Sequence, residues 1–315
     1  MLTLVERAEL EDAHCWEPED HVPRRPEMTE FRRAVRLHQA RWREAHGHPI
    51  GTQPLAPKGD KPARLLGSRL PLEYARETGA NFVTAGALTA AKARTSVVEP
   101  HQSFDHQRLW ADLLWSPALA VNLFGDLAAD LELANRAVHA WWPDAPGEVR
   151  EVRFVHSPGW LDPAYLNSLR AFDAAFVLDA GIVGVGVKYH ERSKAETPKP
   201  ENLRRYLAVA KRSGAFSRGA TDKVKGRSDL AVMWLEPLLL LSMLQHESDR
   251  WSRGRYVVVH PAGNTDVADQ CGRYRALLTD ESTFACMTIE ELLDGGVLPA
   301  KTTAALRERY VPTVR

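Results

Sequence analysis

Residues 171–191 read Ala-Phe-Asp-Ala-Ala-Phe-Val-Leu-Asp-Ala-Gly-Ile-Val-Gly-Val-Gly-Val-Lys-Tyr-His-Glu. Two β-branched and aromatic runs, about 172–178 and 182–189, flank a turn at Asp179-Ala180-Gly181. That is a hairpin signal, with Gly181 expected to take the positive φ of a tight turn. Asp173 opens the first strand and Lys188 closes the second, each among apolar neighbours. A charge on a strand that otherwise reads as buried is costly unless it is paired or bound. The two side chains are therefore expected to meet at one end of a sheet.

Upstream, 105–142 carries apolar residues at helical spacing, from Leu109 through Leu119, Phe124 and Leu131 to Val138, with Pro117 and Gly125 as expected dividers. Glu148–His156 alternates and reads as a strand. Downstream, a helix from Pro200, a buried helix at 229–246, a buried strand at 255–260 and a helix from Thr265 follow in turn. An edge strand at 283–287 and a capping box at Thr288-x-x-Glu291 come next. Helices alternating with strands predict a layered α/β fold.

Residues 1–31 hold nine acids against three arginines, and a helix over 30–46, capped by Thr29, carries Arg32, Arg33, Arg36, Arg41 and Arg43. That basic side is either a solvated face or a phosphate-contacting arm. The Gly- and Pro-rich stretch 47–70 separates an N-terminal extension, residues 1–70, from a main domain, 71–315.

The 315 residues are 44% hydrophobic and 26% charged, an ordinary globular composition with zero formal net charge. Cys15, Cys271 and Cys286 show no metal-ribbon or disulfide spacing, which points to a reducing cytoplasm. The apolar run 230–244 is interrupted by Glu236-Pro237 and falls short of the ~20 residues a membrane span needs. Charge is uneven, however. Residues 192–227 hold eleven Lys and Arg against three acids, a local excess of eight positive charges that suits a phosphate-tracking groove or a solvated face. The cations of interest there are Lys199, Arg204, Arg205, Lys211, Arg212, Lys223, Lys225 and Arg227. Aromatic residues among them are sparse, which favours backbone contact to a duplex over stacking on single strands.

The Asp173 and Lys188 strands, preceded by a helix and a strand, resemble the PD-(D/E)XK nuclease superfamily, the restriction-endonuclease-like fold with its αβββαβ core. The resemblance implies that Asp173 binds Mg2+ (or Mn2+), that Lys188 serves the reacting phosphate, and that the acid two residues before the lysine is a second ligand. Gly186 stands at that position. It is a vacant acid position: the ligand is lost, replaced by another carboxylate, or removed by substitution, and activity is expected to be impaired. Positions 186 and 188 share a face of the strand, so the absent acid would have pointed to the same spot as Lys188. The helix before the sheet often lends a carboxylate in such proteins, which makes Glu132 a second candidate ligand. The resemblance implies a Mg2+-dependent DNA endonuclease, in restriction or defence against foreign DNA, with homodimerisation common. Two readings stand beside it: an inactive nuclease fold that binds DNA or a partner, and a scaffold in which Asp173–Lys188 is a structural ion pair.

Overall fold

The computed structural model describes residues 5–54, 63–192 and 194–312. In chain order the elements are helices α1 (Arg7–Asp12) and α2 (Pro26–Ala45), a short ladder of β1 (Gly51–Thr52) and β2 (Leu65–Leu66), and then helices α3 (Leu72–Thr78), α4 (Ala85–Ser96), α5 (His106–Ala111), α6 (Ser116–Ala129) and α7 (Leu131–Trp141). The strands β3 (Val149–His156), β4 (Phe172–Leu178) and β5 (Gly181–Val187) follow without a helix between them. Next come α8 (Pro200–Ser213), α9 (Ala231–Met243), β6 (Arg253–His260), α10 (Thr265–Arg275), β7 (Phe284–Thr288), α11 (Ile289–Asp294) and α12 (Ala300–Tyr310).

Five strands form one mixed sheet in the order β3-β4-β5-β6-β7. The first two pairings are antiparallel and the last two parallel. β5 sits at the centre and every residue of it is buried, which is why its sequence is a continuous apolar and glycine run rather than an alternating one. One face of the sheet (Ala174, Phe176, Val185, Val187, Val257, Val259) packs with residues of α2, α4–α7, α11 and α12. The other (Ala175, Ile182, Tyr256, Val258) packs with α8, α9 and α10. This is the expected α/β architecture, with helices on both faces.

Several local expectations are corrected. Gly181 does not take a positive φ. A Cβ there would lie 2.4 Å from Pro146 Cγ and 3.0 Å from the Arg253 carbonyl oxygen, so close approach, not turn geometry, excludes a side chain. Pro26 at the first turn starts α2 earlier than Thr29, whose hydroxyl instead accepts from the Val22 N–H at 2.9 Å. Gly125 lies inside α6, and the helix breaks fall at 112–115 and at Asp130, which caps α7. α9 runs straight through Glu236-Pro237, and every residue in it except Val232 is buried. Among the described residues no helix is long and apolar enough to cross a membrane.

The arginines of α2 do not form an open phosphate arm. Arg36 holds Asp20 with two hydrogen bonds of 2.6 and 2.7 Å, and Arg32 reaches the same carboxylate at 3.1 Å. Arg33 pairs with Glu30 and Arg41 with Glu9, while Arg43 donates to the carbonyls of Gly67 and His48. Met28, Phe31, Val35 and Trp42 of the same helix enter the core on the α6 side of the sheet. The segment set apart by composition thus shares the core of the remainder; of its Gly- and Pro-rich stretch, 55–62 lie outside the described residues. Asp20 has no exposed side-chain surface, and removing it would leave two largely buried guanidinium groups without their anion. Asp20→Ala is expected to cost about 3–5 kcal/mol in urea unfolding. A loss below ~1 kcal/mol, the level of an exposed pair, would contradict this packing.

Candidate active site

The antiparallel register pairs Ala174 with Val185, so one step along the ladder Asp173 comes opposite Gly186. The Val187 N–H donates to Asp173 Oδ2 at 2.7 Å, fixing that carboxylate at the strand end. Lys188 follows directly, its own N–H bonded to the Val259 carbonyl of β6 at 2.9 Å. Asp173 and Lys188 lie on the α9 face of the sheet and are close enough to shift each other's ionisation. The expected pair is not a direct one: among the described residues Lys188 forms its ion pair with Glu236, and Asp173 acts on it only through the field between them.

The position of Gly186 is not empty space. A Cβ built there would stand 1.9 Å from the Tyr256 hydroxyl and 3.3 Å from Glu236 Oε2. Glu236 comes from α9, across the layer boundary, and its two oxygens are both engaged. Oε1 accepts from Lys188 Nζ at 2.8 Å, and Oε2 accepts from the Tyr256 hydroxyl at 2.6 Å. A helix carboxylate thus stands beside Lys188, near where a side chain at 186 would point. Glycine at 186 makes the room. Sequence reading noticed Glu236 only as an interruption of an apolar run; its signal was a single acid in a helix with no polar face, which cannot be tolerated unpaired.

Electrostatics follow from this crowding. Burial raises the Asp173 carboxyl to about 7, against the opposing pull of Lys188 and of the Val187 N–H, while Glu236 and Glu191 add to the rise. Burial alone would lower Lys188, but Glu236 and Asp173 outweigh it and hold the ammonium charged. Glu236 is likewise pushed up by burial, yet Lys188 and, more weakly, Arg170 bring it below its ordinary value. The result is more carboxylate than one lysine balances.

Glu191 acts on Asp173 and Lys188 through its charge. One of its oxygens accepts from the Ser116 hydroxyl, while the other is buried with no hydrogen-bond partner. The chain leaving Lys188 is braced on three sides. Arg32 donates to the His190 carbonyl, Gln39 to the Tyr189 hydroxyl, and Asn264 to the carbonyls of Tyr189 and Glu191. Carboxylate oxygens from a strand (Asp173) and a buried helix (Glu236), with the orphaned Glu191 oxygen on the chain after Lys188, are the donor type that a hard divalent cation such as Mg2+ takes.

The other candidate ligand, Glu132, is placed differently. Glu132 is exposed in the first turn of α7, whose buried residues join the core on the opposite face, so the fold does not bring it to Asp173. Its carboxylate complements the helix N-terminus instead. Asp179 is tied to Arg150 in the hairpin turn. His190 and His156 are both pushed down by burial, His156 to about 4. His156 lines a cavity of about 560 Å3 between α4, α6 and the β3 edge, which does not include Asp173, Lys188 or Glu236.

Among the basic residues, Arg205 is occupied in donating to the carbonyls of Tyr165 and Ala164, and Lys225 pairs with Asp222. Lys199, Arg204, Lys211, Arg212, Lys223 and Arg227 are exposed and, among the described residues, have no carboxylate within ion-pair distance. Lys199 caps α8, Arg204, Lys211 and Arg212 lie on that helix, which packs on α9, and Lys223 and Arg227 lie on the loop joining the two helices. That loop is latched to the segment before α8: Glu196 and Ser228 exchange backbone hydrogen bonds of 3.0 and 2.9 Å, and Glu196 also accepts from Arg170.

Asp173 generates a pH prediction. In the unfolded chain it ionises near the ordinary carboxylate value, and in the folded chain only near 7. Between those values folding takes up a proton, so this residue's contribution to stability falls as pH rises. In the presence of a chelator, wild type relative to Asp173→Asn is expected to lose roughly 2–4 kcal/mol of urea stability from pH 4 to pH 7. A flat difference would contradict the burial of this carboxylate.

A family model described as the PD-(D/E)XK nuclease superfamily matches residues 26–312. No curated protein and no solved structure matches the chain significantly.

Proposed function

This chain belongs to the PD-(D/E)XK nuclease superfamily, and from that premise we propose that it is an active, Mg2+-dependent endonuclease acting on duplex DNA through Asp173, Glu236 and Lys188. The observation that carries the reading is the placement of Glu236 against Lys188 and over the glycine where the strand acid is missing. The chain is then a complete site with one carboxylate moved from strand to helix, rather than a disabled one.

Asp173 and Glu236 would hold a divalent ion, which when bound would polarise the phosphate and make water more acidic. The remaining work falls to the protein. Asp173 keeps one oxygen on the Val187 N–H, so its other oxygen is held in a fixed direction. Tyr256, fully buried, donates to Glu236 Oε2 and positions that carboxylate. Lys188 is kept protonated by Glu236 and Asp173, and acts as a point charge that stabilises the growing negative charge on phosphate and orients the attacking water. The unpaired cations of α8 and the following loop provide sequence-independent contacts to the phosphate backbone. Restriction or defence against foreign DNA is the setting we propose for this activity, on the strength of the family alone.

The test is cleavage of supercoiled plasmid DNA with Mg2+. Wild type is expected to nick it, and Asp173→Asn, Glu236→Gln and Lys188→Ala each to slow cleavage by about 100-fold or more. Gly186→Glu is expected to lower activity, because its side chain displaces Tyr256 from Glu236. Wild-type rates in Glu236→Gln, or a gain of activity in Gly186→Glu, would overturn the proposal. Low-salt DNA binding by wild type without any cleavage would favour a binding protein of the same fold.

A further inference from the structure

A second cluster of ligating side chains lies beside this site and plays no part in it. His260 ends β6, Cys271 lies in α10 and Cys286 in β7. One ligand atom from each comes within 4.8 Å of the others. The parallel register sets Cys286 beside Val258, two residues before His260 and on the same face of β6, while α10 lays Cys271 over both strands. His260 and Cys271 are almost fully buried, and Cys286 is half-buried.

The imidazole is already oriented. His260 Nδ1 lies 2.8 Å from the Pro261 carbonyl oxygen. A carbonyl only accepts, so Nδ1 carries the hydrogen and Nε2 is left with the lone pair. A backbone carbonyl fixing the far nitrogen is the arrangement that metal-ligating histidines generally show. Two thiols and one imidazole form a soft donor set, unlike the oxygen donors of Asp173 and Glu236, and they select Zn2+ over Mg2+. A tetrahedron with Zn–S and Zn–N bonds of about 2.3 and 2.0 Å has edges near 3.5–3.8 Å, so from separations within 4.8 Å the cluster needs to contract by about 1.3 Å at most.

We propose that His260, Cys271 and Cys286 bind one Zn2+ ion, with water in the fourth position, and that this ion braces the end of the sheet that carries the nuclease site. The mechanical link is short. The segment between two of the ligands contains Asn264, which caps α10 and donates to the carbonyls of Tyr189 and Glu191, at 3.2 and 2.9 Å, immediately after Lys188. Fixing 260–271 to β7 fixes the chain that holds Lys188 in place.

The full chain, purified without added chelator, is expected to contain about one zinc per molecule by elemental mass spectrometry. Zinc is retained in Asp173→Asn and lost in Cys286→Ser. Replacement by Co2+ is expected to give the near-ultraviolet thiolate-to-cobalt charge-transfer band. A readout on the wild-type chain guards against misfolding of the variant: Cys271 and Cys286 resist maleimide labelling with zinc present and are labelled after chelation. Failure of metal-free protein to take up zinc, unchanged zinc in Cys286→Ser, labelling indifferent to chelation, or a Cys271–Cys286 disulfide in the isolated protein would each overturn the proposal. None of these outcomes depends on whether the chain cuts DNA.

Discussion

The ion pair between Lys188 and Glu236 is the constraint on which the structure turns. Both groups are largely shielded, at 19% and 10% side-chain exposure; Glu236 is the only charged residue of α9, and Lys188 directly follows the apolar strand β5. Neither charge is tolerable there alone. Removing one partner of such a pair generally costs about 3–5 kcal/mol, because the other is left uncompensated in a medium that solvates it poorly. The pair therefore fixes how α9 sits on β5, and Tyr256 locks the geometry by occupying the carboxylate's second oxygen. An apolar pair of the same volume would hold the layers at least as well, so stability does not explain its presence. The same contact sets a carboxylate and a charged lysine near Asp173, which is what the proposed function requires.

The arrangement also explains features that look unrelated along the chain. Gly186 is small because the Tyr256 hydroxyl fills the place of its side chain. α2, which composition places in an extension, sends Arg32 and Gln39 to the chain just beyond Lys188. Its arginines are consumed in holding Asp20 and backbone carbonyls, so a basic helix face in sequence becomes internal scaffolding in the fold. The surplus positive charge that remains exposed lies on α8 and the loop after it, the layer next to Glu236.

Much of this was legible from sequence. The hairpin, the order of helices and strands, the buried parallel strand and the Thr288 capping box follow from local pattern, and local pattern survives folding. So does the nearness of Asp173 and Lys188, because a hairpin fixes which residues stand opposite one another. Glu236 was hidden because it reaches the site from a helix 48 residues after Lys188, a distance no periodicity encodes. Glu132 illustrates the converse. An acid at a helix start before the sheet fits the family habit, but which face that helix covers is decided by packing, and α7 covers the other one. Arg205 looked like its neighbours on α8, and only the position of the 164–165 carbonyls separates it from the free cations.

The central claim is that the acid missing from the strand is supplied by α9. Crystals of the wild-type chain soaked in Mn2+ test it most directly, through the anomalous signal of the ion. The account predicts a peak within coordination distance of both an Asp173 oxygen and a Glu236 oxygen, with Lys188 beside it. A peak bound by Asp173 without Glu236, or one held by Glu132 or at another place in the fold, would contradict it.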